Sequence, residues 1–369
     1  MNSGLRETPL HSRHVQLGAK TADFGGWDMP IEYAGVLVEH DAVRSAVGIF
    51  DVSHMGKVRI HGDGALAYLN SVLTNDLDRI QDGSAQYTML CNEFGGVVDD
   101  LIVYRWSDDE IFMVPNASNA SVIVELLRES APAGVTIENH HDTHGIIAVQ
   151  GPNSRALLEA IGLPAELDYM SMISASHRGE PVIVCRSGYT GELGFELVLP
   201  NIILGSVWDV LLERGHALGA VPAGLGARDT LRLEMGYPLH GQDIAADISP
   251  VEAGLSWAVG WDKPQFAGRE ALLKQREAGP RRKLRGLKSV ERGIPRAHMH
   301  VHGLADVELA EPAIGDITSG TYSPSLKCGI ALALLDADIE PGYDVLVDVR
   351  GKPIRFQVVK PPFMAPSTR

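Results

Sequence analysis

Apolar and polar positions divide the chain into short segments with two different periods. After Gly95-Gly96, a hairpin-type turn signal, the residues Val97-Val98-Asp99-Asp100-Leu101-Ile102-Val103-Tyr104-Arg105 are β-branched and apolar and read as a strand. Tyr87 to Leu90 reads as its hairpin partner, and Ile111 to Val114 as a further strand stopped by Pro115-Asn116. Helical spacing predicts helices over residues 65–73, 120–130 and 39–47, the last with Val43 and Val47 one turn apart and Gly48 as its stop. Residues 49–60 read as strand, interruption at Ser53-His54-Met55, strand, and Phe24-Gly25-Gly26-Trp27-Asp28-Met29-Pro30 reads as a loop rich in breakers. Up to about residue 139 the pattern is that of an α+β unit.

Beyond it, residues 145–150 read as a strand and 153–161 as a helix. Val182-Ile183-Val184 leads through the glycine-rich Arg186-Ser187-Gly188-Tyr189-Thr190-Gly191 into a strand that puts Phe195, Leu197 and Leu199 on one face and Glu196 on the other. Helices follow over 207–218 and from Pro222-Ala223-Gly224-Leu225 onward. The remainder is β-rich: a loop at Thr318–Pro324, a strand at 330–335, and a hairpin of 345–349 with 354–359 around Arg350-Gly351-Lys352-Pro353. A boundary near Gly279-Pro280 sets this small β domain apart.

Composition narrows the function classes. The chain has 369 residues, 45% of them hydrophobic and 21% charged, enough for two or three domains with real cores. A formal net charge of −15 argues against nucleic acid as a partner, because phosphate binding needs clustered cations. Cys91, Cys185 and Cys328 are scattered and odd in number, which disfavours a disulfide framework or a thiolate zinc site and suits a reducing cytoplasmic setting. The first nine residues lack the apolar core of a secretory signal, and no apolar run approaches the roughly 18 residues of a membrane span.

Several residues carry candidate chemistry. Asp99 and Asp100 alternate to opposite faces of their strand, so at most one faces a given pocket. Either both sit at the strand mouth in water, or one is a buried carboxylate that needs partners and marks a site. His54 is a base or a hydrogen-bonded structural histidine. Asn139-His140-His141-Asp142-Thr143-His144 has neither an i, i+4 helical pair nor a cysteine, so no metal is expected there. His298, His300 and His302 share a face if they lie on one strand, which is poor metal geometry. Gly224-Leu225-Gly226 lacks the third glycine and the preceding strand of a dinucleotide fingerprint. Arg228 falls in the first turn of a helix, where the dipole disfavours a cation. Asp229 and Arg232 are spaced to satisfy each other, which leaves Arg228 for an anionic partner or ligand. Residues 263–296 hold eleven Lys/Arg against Glu270, Glu277 and Glu291, either a solvated surface or a docking face for an acidic protein.

Taken together, Phe50-Asp51-Val52-Ser53-His54-Met55, Gly95-Gly96-Val97-Val98-Asp99-Asp100, Gly188-Tyr189-Thr190-Gly191-Glu192, the run Gly224 to Glu234, Gly241-Gln242-Asp243 and Thr318 to Pro324 occur in an order that resembles the glycine cleavage system T-protein family, the tetrahydrofolate-dependent aminomethyltransferases. The resemblance runs nearly end to end. It implies an α+β fold, a three-lobed cloverleaf around a central folate channel, with two α+β lobes and a C-terminal small β-barrel. The first lobe is discontinuous, residues 1–50 plus 140–262. The second is 51–139, the barrel is 280–369, and 263–279 connects them. The implied reaction takes an aminomethyl group from the lipoyl arm of the H-protein, passes through an iminium cation as ammonia leaves, and yields methylenetetrahydrofolate. It requires neither metal nor flavin.

Carried over residue by residue, Asp100 resembles the essential aspartate near the folate nitrogens. Glu196 and Arg228 match positions that hold the pterin and the substrate end. Met55, Tyr87, Asn116, Tyr169 and Tyr189 fall where the family lines its channel, and the chain-terminal Arg369 matches a C-terminal arginine used for folate. Where some relatives have two tyrosines, this chain has Tyr169-Met170. The residue types suit these roles. A carboxylate accepts two N–H bonds from a pterin edge, an arginine suits an anionic glutamyl tail, and an ionised aspartate stabilises a developing cation. Two other readings stay within the fold. One is a folate-dependent demethylase of a free methylated amine or sulfonium. The other is a folate-binding relative without turnover, acting in iron–sulfur assembly, but the conspicuous cysteine of such relatives is absent from Tyr237-Pro238-Leu239-His240-Gly241-Gln242.

Overall fold

A computed structural model describes residues 4–310 and 312–368. Its aspartate strand, Val97–Ser107, lies in a five-stranded antiparallel sheet in the order Ala85–Cys91, Val97–Ser107, Glu110–Val114, Val58–His61, Thr136–Asn139. A second sheet has six strands, ordered Met172–His177, Glu180–Cys185, Gly194–Pro200, His144–Gln150, Val47–Asp51, Ala220–Pro222. It draws one strand from before the five-stranded sheet and the rest from after it.

Strand alternation explains how the two sheets stack. Leu101 and Val103 point to one side of the aspartate strand and meet Leu66, Leu69, Ile123 and Leu127 from the helices Ala65–Val72 and Ala120–Ser130. On the other side Tyr104 and Ile102, with Phe112 and Ala85, meet Phe50, Ile146, Ala148, Cys185 and Val198 of the second sheet. That sheet's far face carries Ile147, Val149, Phe195 and Leu197 under the helices Ser154–Ala160 and Asn201–Gly215. The sheets are therefore face to face, with helices outside. The C-terminal body is a closed six-stranded barrel, Arg282–Ser289, Cys328–Asp336, Gly315–Ser323, His300–Gly303, Asp344–Asp348, Pro353–Val359, around Leu287, Val301, Ala333, Leu335, Val347 and Phe356.

Four local expectations change. Gly48 does not stop a helix: the helix Val36–Ser45 ends earlier and Gly48 lies inside the strand Val47–Asp51. A Cβ there would lie 2.4 Å from Val43 Cγ2, so glycine lets the helix close back onto its own strand. Phe24–Pro30 is not an irregular loop but the tip of the hairpin Lys20–Phe24/Trp27–Glu32, turned by Gly25 and Gly26 with φ of 58° and 84°. The helix expected from Val207 begins a turn and a half earlier, at Asn201. Thr318–Pro324 is mostly strand. It reads as a loop because its buried residues, Ser319, Thr321 and Ser323, are polar, and two of their hydroxyls are bonded to ionised side chains. The histidine trio also separates. His298 precedes its strand at φ 68°, His300 is bonded to Asp316, and His302 is buried on Asp306. Nor is 263–296 one cationic face. Lys263 is buried on the carbonyls of Leu73 and Asn75, Arg282 pairs with Glu252, and Lys283 and Arg285 pair with Glu340.

The helix Leu225–Glu234 joins barrel to sheets. Its Ala227 and Leu231 enter the core between the sheets. Its Arg232 is fully buried, with Nη1 2.8 Å from Asp243 Oδ2 and Nη2 2.9 Å from Ser319 Oγ of the barrel. Glu234 is also fully buried and takes Arg44 Nη2 at 2.7 Å and Ser325 Oγ at 3.0 Å, with His40 Nε2 at 3.3 Å. Removing one partner of such a pair strands a charge away from water. Arg232→Met is accordingly expected to destabilise the fold by about 3–5 kcal/mol in urea unfolding. Burial raises the Glu234 carboxyl, but bonds from His40, Ser323 and Arg44 outweigh that and hold it down at about 2 against an ordinary 4.5. Its stabilising contribution is thus complete above pH 4.5 and is lost as pH falls through about 2. Glu234→Gln should flatten the pH dependence of unfolding in that window, and a mutant with unchanged acid sensitivity would refute the pairing.

Candidate active site

Asp100 occupies the face of its strand that looks toward the second sheet, while Asp99 turns to the helix-covered side and is fully buried. The opposite-face expectation therefore holds, but the two are not independent. Asn116, just past the strand Glu110–Val114, sits at the sheet's end and reaches both. Its Nδ2 lies 2.8 Å from Asp99 Oδ1 and 2.8 Å from Asp100 Oδ1. Asp99 also takes Asn119 Nδ2 at 2.7 Å and the Asn116 backbone N–H at 3.0 Å. Tyr87 lies diagonally across the hairpin, where Met89 pairs with Asp100 and Tyr87 with Ile102, and it donates its hydroxyl to Asp100 Oδ2 at 3.1 Å. The Tyr87 ring stacks on Trp257, centroids 5.5 Å apart, and Trp257 is 65% exposed.

Burial pushes Asp100 above the usual carboxylate range, opposed by His240 and by the bonds from Tyr87 and Asn116. Asp99 is pushed up to about 7 by burial and by the charge of Asp100, against the bonds from Asn119 and Asn116. Burial and the same two aspartates raise the Tyr87 phenol.

The second sheet supplies the facing groups. Glu196 points away from Phe195 and Leu197, as alternation predicts, and accepts a bond from Ser187, whose hydroxyl also meets Tyr104 Oη at 2.9 Å. Arg228 lies with its Cζ 4.8 Å from the centroid of the Tyr189 ring. Among the described residues its Nη1 is buried and makes no hydrogen bond, while Arg232 takes Asp229 as the spacing predicted. Burial lowers the Arg228 guanidinium, and Glu196 and Tyr189 oppose that shift. Tyr189 donates to the Pro238 carbonyl and stacks on Tyr237 at 5.7 Å. It also feels the charge of Asp100, which ties the two sheets' groups into one cluster.

Tyr169 stands farther out, 6.0 Å from the Arg186 guanidinium, and Met55 packs at the margin of the core between the sheets. Arg369 lies outside the described residues. His54 is buried and held well down, to about 3, chiefly by burial, so it is neutral. Among the described residues no group of three or more His, Cys, Asp or Glu is placed to hold a metal ion. A cavity of about 300 Å³ opens beside the barrel, walled by Gln242, Arg282, His298 and Asp316 among others, and no member of the Asp100 cluster lines it.

Residue reading alone missed Asn119, Ser187, Trp257 and His240. They lie in loops, a helix cap and the 3-10 turn Ser256–Ala258, with no periodic signal, and only the tertiary fold brings them to the aspartates, Glu196 or Tyr87.

The chain is similar to known proteins along its whole length. Residues 10–263 match the GCVT N-terminal domain and residues 282–364 the glycine cleavage T-protein C-terminal barrel domain. The chain belongs to the glycine cleavage T-protein family. An aminomethyltransferase of Parafrankia sp. (strain EAN1pec) is 58% identical over 367 residues, 99% of each chain. One of Mycolicibacterium paratuberculosis is 55% identical over 367 residues, covering 99% of this chain and 98% of its own. The crystal structure of glycine cleavage system aminomethyltransferase T from Bartonella henselae superposes with a TM-score of 0.92 at 35% identity, over 98% of this chain and 99% of that one. T-protein membership makes the chain an enzyme, an aminomethyltransferase.

If the Asp100 cluster is the T-protein's reaction site, Tyr87→Phe removes one bond to a carboxylate while keeping the ring on Trp257. The expected loss is about ten- to a hundredfold in kcat/KM for one-carbon transfer. Wild-type kinetics in that variant would place the chemistry elsewhere.

Proposed function

We propose that this T-protein moves a one-carbon unit from the aminomethyl-lipoyl arm of an H-protein to tetrahydrofolate, releasing ammonia, in the cytoplasm. The supporting observation is the pairing of unlike groups across one seam. Asp100 is bonded only by neutral donors among the described residues, and the Tyr189 ring that feels its charge carries the Arg228 guanidinium, whose buried Nη1 is unused. A buried donor without a protein partner is a place where a ligand acceptor gains a bond at little desolvation cost.

Tetrahydrofolate fits this donor set. Glu196 spends one oxygen on Ser187 and leaves the other for a pterin N–H edge. Arg228 offers its spare N–H group to an acceptor on the ligand, and Met55, Asn116, Tyr169 and Tyr189 are assigned to the channel wall by the family resemblance. Tyr87 and Trp257 give a flat aromatic wall, and Arg369 is assigned to the anionic tail. When bound, tetrahydrofolate supplies the nitrogens that accept the carbon. The protein's part is to hold that acceptor beside Asp100, to keep water out between the sheets, and to set a negative oxygen against the positive charge that develops on the transferred carbon. In this reading residues 1–50 with 140–262 form the first lobe, 51–139 the second and 280–369 the barrel, with the site where they converge.

The test is formation of methylenetetrahydrofolate and ammonia from aminomethylated H-protein, with and without added tetrahydrofolate. Asp100→Asn should lower kcat by about two to three orders of magnitude, the scale of one lost electrostatic contact in a water-poor site. Asp99→Asn should lose far less at the optimum pH. Equal losses contradict the assignment of roles, and turnover of free methylated glycines without carrier protein would favour a demethylase instead.

A further inference from the structure

The second carboxylate is the least expected part of the site. Asp99 is fully buried, faces away from the seam, and yet is held as elaborately as Asp100. Its Oδ1 accepts from Asn116 Nδ2 at 2.8 Å and Asn119 Nδ2 at 2.7 Å, and its Oδ2 from the Asn116 backbone at 3.0 Å. Asn119 Nδ2 is also 3.0 Å from His240 Nδ1, and His240 Nε2 is 3.1 Å from the Val97 carbonyl. An amide nitrogen donates and a carbonyl accepts, so these contacts set Nδ1 of His240 against a donor and Nε2 against an acceptor. The other ionisable groups around the pair are His240 itself and the phenols of Tyr87 and Tyr189, with the Arg228 guanidinium on the Tyr189 ring. Among the described residues, therefore, no cation bonds to either aspartate.

Two carboxylates lie within 2.8 Å of one amide nitrogen, with no cation bonded to either among the described residues. Both ionised, they repel through a medium of low dielectric. The Asn116 amide has two hydrogens and three acceptors in reach, the third being the Asp100 main-chain carbonyl at 2.9 Å. Its orientation thus follows which of the oxygens are charged.

We propose that Asp99 is a positioning residue for one-carbon transfer: through the shared amide of Asn116 it fixes the Asp100 carboxylate, and the two aspartates bind and release protons as one unit. The proposal rests on the assignment of the chemistry to Asp100. The unit's role is to keep the proton inventory at Asp100 set by a buried neighbour instead of by bulk water. Two groups this close titrate in macroscopic steps that belong to the pair.

Difference infrared spectroscopy of the protonated-carboxyl band, recorded on the whole protein across a pH titration, reads the pair without any turnover. The wild type should show one carboxyl losing its proton well above the ordinary carboxylate range. Asp99→Asn leaves a single carboxyl in place of the coupled pair, so the high step should be lost and the one remaining step should lie lower by about one unit or more, and the acid limb of the kcat/KM profile should move with it. Asn119→Ala removes a donor that favours the ionised pair, so it should move the high step to higher pH. That side chain makes no capping bond to its helix, which keeps this variant usable if Asp99→Asn folds poorly. A rate loss in either variant that is equal at every pH, with the infrared step unmoved, overturns the proposal and leaves Asp99 a structural residue. If the infrared step shifts as stated but no variant alters one-carbon transfer, the coupling stands and the assignment of chemistry to Asp100 is what fails.

Discussion

Everything about the site depends on one short helix whose charges have no water to fall back on. Leu225–Glu234 carries Arg228, Arg232 and Glu234 within three turns, and its apolar Ala227 and Leu231 hold it between the two sheets. Arg232 and Glu234 are spent on the barrel and on the helix Val36–Ser45, through Asp243, Ser319, Ser323, Ser325 and Arg44. Buried pairs of this kind add little net stability over a well-packed apolar contact, but they are intolerant of displacement, because either partner alone is costly. Their contribution is register: barrel, helix and sheets fit together in one way only.

That register places Arg228. It sits one turn before Arg232, and two guanidinium groups so close would repel if both lacked partners. Arg232 is neutralised twice over, by Asp229 and Asp243, so the helix can hold a second, unspent cation over the Tyr189 ring. The first-turn dipole and burial both disfavour a cation there, and Glu196 and the tyrosine face offset them only through space. An arginine left in this state has hydrogen-bonding capacity in reserve, whereas Arg44, held by Glu192, Glu234 and two carbonyls, has little.

The sequence made much of this legible, and the failures share a cause. Periodicity located the aspartate hairpin, the helices at 65–72 and 120–130, and the alternation that separates Glu196 from Phe195, because those segments follow the rule that one face is apolar. It misread Thr318–Pro324 because that strand's inner face is made of hydroxyls satisfied by a helix some ninety residues away in sequence. It misread Gly48 because a strand glycine required by the return of Val43 looks like a helix stop. Local pattern identifies a polar residue, but not the distant partner that makes the residue tolerable in a core. Asn119 and His240 were invisible for that reason, and the family resemblance, which carries whole-chain information, supplied the roles that spacing left open.

The aspartate pair shows why alternation is a rule about faces and not about environments. Successive side chains leave a strand on opposite sides, and Asp99 and Asp100 do so. At the end of a sheet, however, the two sides are separated by a single backbone, and a residue just beyond the strand can reach around it. Asn116 is such a residue: Pro115 ends the neighbouring strand and turns the chain so that one amide spans both faces. A slip in register between Leu90 and Cys91, opposite Val98, shifts the hairpin's pairing just before the aspartates. Two carboxylates that the pleat should isolate are thereby made electrostatic neighbours, Asp99 buried under the helices and Asp100 on the face toward the seam between the sheets.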